Sequence, residues 1–179
     1  MSKEEDLLFT LFNNINRWLE FAEKKNTYTF SFFSLMIIFT PFIGKLTAIN
    51  YLIKTSISAF YFLYALTIFF TSLSFFPITK ISKKIIENGK DKKINNNDNL
   101  IFYGDIYKYS SQEYITALKN KYKIDLENSE LSKNLVEQII INANITRNKM
   151  AYFKICIVFI AIALLQFAIC FTINFYIGK

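Results

Sequence analysis

Three stretches of this chain contain no Asp, Glu, Lys or Arg: residues 26–44, 55–79 and 155–178, which are 19, 25 and 24 residues long. A helix needs about 20 apolar residues to cross roughly 30 Å of hydrocarbon at about 1.5 Å per residue. A chain of 179 residues cannot bury three such stretches in one soluble core, because small domains leave much of their surface wet. Hydrophobic residues make up 53% of the sequence, with 20 Phe against 4 Gly and 2 Pro. The expected fold is therefore an all-α membrane protein with three transmembrane helices and a helical segment between the second and third. The third helix is expected to be long and continuous from cytoplasm into membrane.

The first stretch is the most polar, with Thr27, Thr29, Ser31 and Ser34 at its start and Pro41 near its end. Some 25 charged and mixed residues precede it, whereas a cleaved signal peptide places its short apolar region near the start. It reads as a retained helix. Residues 1–25 themselves form an amphipathic pattern, with Leu7, Leu8, Leu11, Ile15, Leu19 and Phe21 at helical spacing. Ser2 and Glu5 fit a capping box.

Orientation follows from Lys and Arg near the membrane ends. Lys24, Lys25, Lys80, Lys83, Lys84, Arg147, Lys149 and Lys154 on one side outvote Lys45, Lys54 and Lys179 on the other. The amino terminus and residues 80–150 are thus expected in the cytoplasm, with 45–54 as an external loop and the carboxyl terminus outside. The net charge of +7 rests almost wholly on Lys. With no Arg-rich cluster, it does not call for nucleic acid.

Within 80–150, residues 87–98 read as a flexible loop ending in Asn95-Asn96-Asn97-Asp98. An apolar patch, Leu100-Ile101-Phe102-Tyr103, follows and ends at Gly104-Asp105. Ser110 with Glu113 forms a capping box, so residues 111–121 should be helical. A turn is expected near 125–128. From about Glu130, Leu131, Leu135, Ile139, Ala143 and Met150 recur on successive turns, and no Gly or Pro intervenes before Gly178. That pattern predicts one helix of about 45 residues, a rigid strut running into the third crossing at 151–178.

Catalysis finds little support. The chain has no His, which removes the commonest general base and metal ligand. Cys156 and Cys170 both fall in the third apolar stretch, about 21 Å apart on one helix, too far to pair with each other. They read as lipid-facing or packed thiols. No phosphate loop, metal-ligand spacing or nucleophile elbow is present. Asp105 and Glu113 read as a solvated loop acid and a helix cap. The chain is expected not to be an enzyme and to hold no metal or cofactor.

The polar residues Gln138, Asn142, Asn144 and Arg147 interrupt an apolar helix just before the membrane. Such amides need partners, and two readings stand: hydrogen bonding between helices or protomers, or a polar ligand held at the inner membrane edge. For a ligand, Arg147 suits a phosphate, and Tyr103, Tyr107 or Tyr114 could stack on a base. In the second crossing, Thr67, Thr71, Ser72 and Ser74 form a mildly polar stripe. It reads as helix–helix contact ahead of a pore lining.

Two amino-terminal crossings, a cytoplasmic helical stretch and a carboxyl-terminal crossing resemble the Pycsar transmembrane effector family of bacterial antiphage defence. Residues 17–26, Arg-Trp-Leu-Glu-Phe-Ala-Glu-Lys-Lys-Asn, resemble the family's "adxKa" pattern. Residues 99–106, Asn-Leu-Ile-Phe-Tyr-Gly-Asp-Ile, with Glu113-Tyr114, resemble its "NLxxFGxI…EY" segment. Gln138-Ile139 through Asn142, Ile145 and Lys149 resemble its "QI…N…I…K" helix. The resemblance implies an inner-membrane effector, with 80–150 as sensor region, that answers cyclic UMP or cyclic CMP made by a cognate cyclase. It would then rearrange as a homo-oligomer and impair the bilayer, stopping growth or killing the cell. The ligand-binding residues expected on this reading are Asn99, Tyr103, Asp105, Tyr114, Gln138, Asn142 and Arg147. Alternatives are a related effector gated by another nucleotide messenger such as a purine cyclic dinucleotide, a constitutive membrane scaffold, or a small ion channel.

Overall fold

The computed structural model describes residues 3–46, 51–75, 93–123 and 129–177. These form five helices: α1 (Lys3–Leu46), α2 (Tyr51–Phe75), α3 (Tyr103–Ile106), α4 (Ser111–Tyr122) and α5 (Glu130–Ile177). No strand occurs among the described residues. The chain divides into two compact units, one made of Met1–Glu23 and Pro77–Met150, the other of Lys24–Phe76 and Ala151–Lys179. The first unit thus draws its helices from both sides of the first two apolar stretches.

The first unit has a core of the kind found in water-soluble domains. The apolar stripe of α1 places Leu8, Leu11 and Ile15 against Leu135, Val136, Ile139, Ile140 and Ala143 of α5 in one buried cluster. Leu100, Ile106, Tyr109, Tyr114 and Leu118 complete it from the central segment. Fully burying side chains of this size contributes about 1.5–3 kcal/mol each. The α5 periodicity holds from Leu135 to Ala143, but Leu131 is 47% exposed, because the buried stripe begins one turn later.

Ser110 and Glu113 start α4 as a reciprocal cap: the Ser110 hydroxyl accepts from the Glu113 amide, and the Glu113 carboxylate accepts from the Ser110 amide at 2.8 Å. The helix ends at Lys123, which adopts a left-handed conformation with φ 54°. The patch expected at 100–103 is in fact a turn leading into α3. Asn99 closes that turn, its carbonyl accepting from the Phe102 amide at 3.0 Å. A Cβ on Gly104 would overlap the Phe102 ring, so only glycine lets that ring fold onto α3.

The second unit contains α2 and the later part of α5, helices long and apolar enough to cross a membrane, over Lys54–Phe75 and Glu130–Ile169. Only 17% and 11% of their apolar windows are buried within the protein, so their hydrophobic surface faces outward, as in lipid. Phe62, Phe69, Val158 and Leu165 are among the exposed side chains. The apolar stretch at 26–44 does not stand among the helices that meet this measure; it continues α1 without a break, through Pro41 to Leu46. The unit is joined internally by polar contacts. Asn26 donates to the Ser74 hydroxyl, Tyr64 to the Phe33 carbonyl at 2.6 Å, and Gln166 to the Ser56 carbonyl at 3.4 Å.

Thr67, Thr71 and Ser74 are buried, and Thr71 lies 3.3 Å from the Cys156 sulfur. The polar stripe of α2 is therefore a helix contact, and Cys156 is a packed thiol. The expected Ser2 cap, the side chain of Cys170 and the turn near 125–128 lie outside the described residues.

Replacing Ile139 by Ala should lower unfolding stability by about 2–5 kcal/mol, the range for a buried aliphatic truncation. Leu131→Ala should change it by less than about 0.5 kcal/mol, as for a surface site. Thermal unfolding followed by circular dichroism in detergent would separate the two.

Candidate functional site

The polar architecture of the first unit is organised around Asp98, at the end of the Asn-rich run. Its carboxylate accepts from Lys108 at 2.8 Å, from the Asn95 amide at 3.1 Å and from the Tyr109 hydroxyl at 3.2 Å. Its backbone carbonyl accepts from the Lys121 ammonium at 2.7 Å. Burial alone would raise the Asp98 pKa, but Lys108, the Asn95 amide and Tyr109 together hold it below the ordinary carboxylate value. Lys108 also donates to Asp105 at 2.6 Å, and its two carboxylate partners hold its pKa above the usual lysine value. Burial and the adjacent Asp98 push the Tyr109 hydroxyl up to about 12. Residues 93–98 have no regular structure, yet their last member is a buried anchor.

The residues expected to hold a ligand fall in several places. Asn99 and Asp105 meet, the Asp105 carboxylate accepting from the Asn99 amide at 3.0 Å, and the pair shapes the turn before α3. Tyr103 packs its ring 5.4 Å from Trp18 and 4.5 Å from Phe102. Tyr114 is a core residue: it is 0% exposed, and its hydroxyl donates to the Leu100 carbonyl at 2.6 Å. No face of that ring is open to stack on a base. Gln138 is exposed. Asn142 donates to the Asn16 carboxamide oxygen at 2.8 Å, a contact between α5 and α1. Arg147 stacks over the Tyr107 ring at 4.3 Å. Lys149 pairs with Glu23 at 3.3 Å.

Two grooves open on this unit. The central groove, about 530 Å³, lies between the Asn-rich turn and α4, with Asp98, Glu113 and Lys121 as its charged residues. The other, about 830 Å³, runs along the outer stripe of α1, where Thr10, Asn13, Arg17 and Glu20 recur at helical spacing. Ile101 forms part of its wall and is fixed there by Asn14, which donates to the Ile101 carbonyl at 2.9 Å. None of the seven expected ligand residues lines either groove. Asn142 reaches the α1 groove only through Asn16.

Sequence reasoning missed the α1 stripe, although its signal was present. Once Leu8, Leu11 and Ile15 are assigned inward, residues 10, 13, 17 and 20 must face outward together. Among the described residues, no group of three acidic or cysteine side chains converges as a metal site.

Residues 7–177 match the Pycsar effector protein domain. The chain belongs to that family. As a Pycsar effector it is an effector of antiphage defence, and its two outward-apolar helices accord with a membrane protein. No curated protein and no solved structure matches the chain.

The charge cluster makes this Pycsar effector's stability depend on pH at both ends. Asp98, with its lowered folded pKa, stabilises fully above the unfolded value of about 3.9 and loses that contribution as pH falls through its folded value. Lys108 and Tyr109, both raised in the fold, stabilise fully below about pH 10 and lose their contributions as pH rises further. Thermal midpoints in detergent should therefore form a plateau that falls below about pH 4 and above about pH 10. Asp98→Asn should lower the plateau and flatten the acid limb.

Proposed function

We propose that this chain is a second-messenger-gated effector of the bacterial inner membrane. A cyclic pyrimidine mononucleotide, cyclic UMP or cyclic CMP, binds the first unit, protomers rearrange, and the membrane helices impair the bilayer. On this reading the helices cross three times, with 26–44 as the first crossing, the amino terminus in the cytoplasm and the carboxyl terminus outside. The first unit is the cytoplasmic sensor.

The observation that carries the reading is the coexistence of two surface chemistries in one chain. One unit has a soluble-type core, a reciprocally capped helix and an ion-paired centre. The other turns its apolar side chains outward. A detector working in water and an actuator working in lipid require these two environments. A nucleotide can drive such a change only by binding one assembly more tightly than the other. The burial of Thr67, Thr71 and Ser74 disfavours a pore lined by the α2 stripe within one chain. It favours damage through rearranged helices.

Dye-loaded liposomes carrying the purified chain test this directly. Cyclic UMP or cyclic CMP should release dye, whereas a purine cyclic dinucleotide should not. Release without any nucleotide would indicate a constitutive channel, and silence under every nucleotide would reject gating.

A further inference from the structure

We propose that the nucleotide binds in the α1 groove, with Arg17 as its phosphate ligand and Asn13, Asn16 and Glu20 reading the base and ribose. The assignment rests on the nucleotide-gated reading above and adds a place and a recognition chemistry to it.

Charge selects between the two grooves. The central groove carries two carboxylates, Asp98 and Glu113, against Lys121, whose ammonium already donates to the Asp98 carbonyl. An anionic ligand gains little there. The α1 groove carries Arg17, whose guanidinium makes no hydrogen bond or ion pair among the described residues. A guanidinium presents donors in a planar fork that fits two oxygens of one phosphodiester. The other arginine, Arg147, is already stacked on Tyr107.

The remaining polar groups fit the rest of such a ligand. A cyclic pyrimidine mononucleotide has one negative charge, one free ribose hydroxyl and a base edge bearing both donors and acceptors. Glu20, one turn beyond Arg17, is already engaged within the protein, but a carboxylate has about four lone-pair sites and can still accept from the hydroxyl. Asn16 is fixed in orientation because its carboxamide oxygen accepts from Asn142, which leaves its amino group to donate. The pyrimidine O2, common to uracil and cytosine, is a suitable acceptor. Among the described residues Asn13 has no hydrogen-bond partner, so its carboxamide can turn to match either base at N3 and C4. From Asn13 to Glu20 is about 10 Å along a helix, two turns that together span a mononucleotide. Leu7, Leu11 and Ile101 give the groove an apolar wall.

Trp18, the chain's sole tryptophan, follows Arg17 directly and packs on Phe102 and Tyr103 beside the Ile101 wall. It is a built-in reporter of events in the groove.

The test is equilibrium dialysis of radiolabelled cyclic UMP and cyclic CMP against the full chain in proteoliposomes, with Trp18 emission recorded in parallel. The native chain should bind both nucleotides saturably, with a matching change in emission. Arg17→Lys keeps the charge but loses the fork and should weaken binding at least tenfold, about 1.4 kcal/mol. Asn13→Ala, an exposed change that leaves the core intact, should weaken it several-fold. Asn120→Ala, in the central groove, should bind as the native chain does. Circular dichroism melting verifies that each variant is folded. If the native chain binds neither nucleotide, the gated reading itself fails. If it binds both but Arg17→Lys and Asn13→Ala bind equally well, or Asn120→Ala loses binding, the groove assignment is overturned while the gated reading stands.

Discussion

The contact on which the first unit depends is the burial of one stripe of α1 against α5. Leu8, Leu11 and Ile15 fit among Leu135, Val136, Ile139, Ile140 and Ala143, and this apolar seam fixes the rotation of α1 about its axis. A helix so fixed has no freedom over what it shows to water: Thr10, Asn13, Arg17 and Glu20 follow from the same periodicity. The Asn16–Asn142 hydrogen bond at the seam's polar margin then sets the axial register. A single amide pair of this kind is worth about 1 kcal/mol in net stability, far less than the seam. Its contribution is to discriminate between registers that the greasy contact alone would tolerate.

The central segment is held by a different kind of constraint. Besides the side chains it adds to the core, its turns are closed by directed bonds: Lys121 to the Asp98 carbonyl, Tyr114 to the Leu100 carbonyl, Asn14 to the Ile101 carbonyl. The Leu100 carbonyl, which is buried, would be costly to leave unpaired. This economy explains how a stretch rich in Asn and Lys can present ordered walls to two grooves.

Much of the fold was legible because hydrophobic periodicity carries it. The α4 cap was written in Ser110 and Glu113, and the long α5 in its freedom from Gly and Pro. The α2 stripe was readable as contact because Thr and Ser in apolar helices seek neighbours. What escaped was set by distant partners. Nothing local in Asn95-Asn96-Asn97-Asp98 says that its acid is buried, since Lys108, Tyr109 and Lys121 supply the reason. Tyr114 reads as a surface to stack on a base, yet its ring fills the core. The candidate site was the least legible part: Asn142 signalled a polar contact, but its partner Asn16 lies 126 residues earlier.

That separation bears on how the protein is made. The seam joins the opening helix of the chain to a segment that leaves the ribosome only after the first two apolar stretches and the central segment have been synthesised. Until then Leu8, Leu11 and Ile15 have no lasting shelter, because their partners do not yet exist. Completion of the first unit is thereby delayed until translation reaches α5, so an abandoned, prematurely ended chain would lack half the seam and could not close this core.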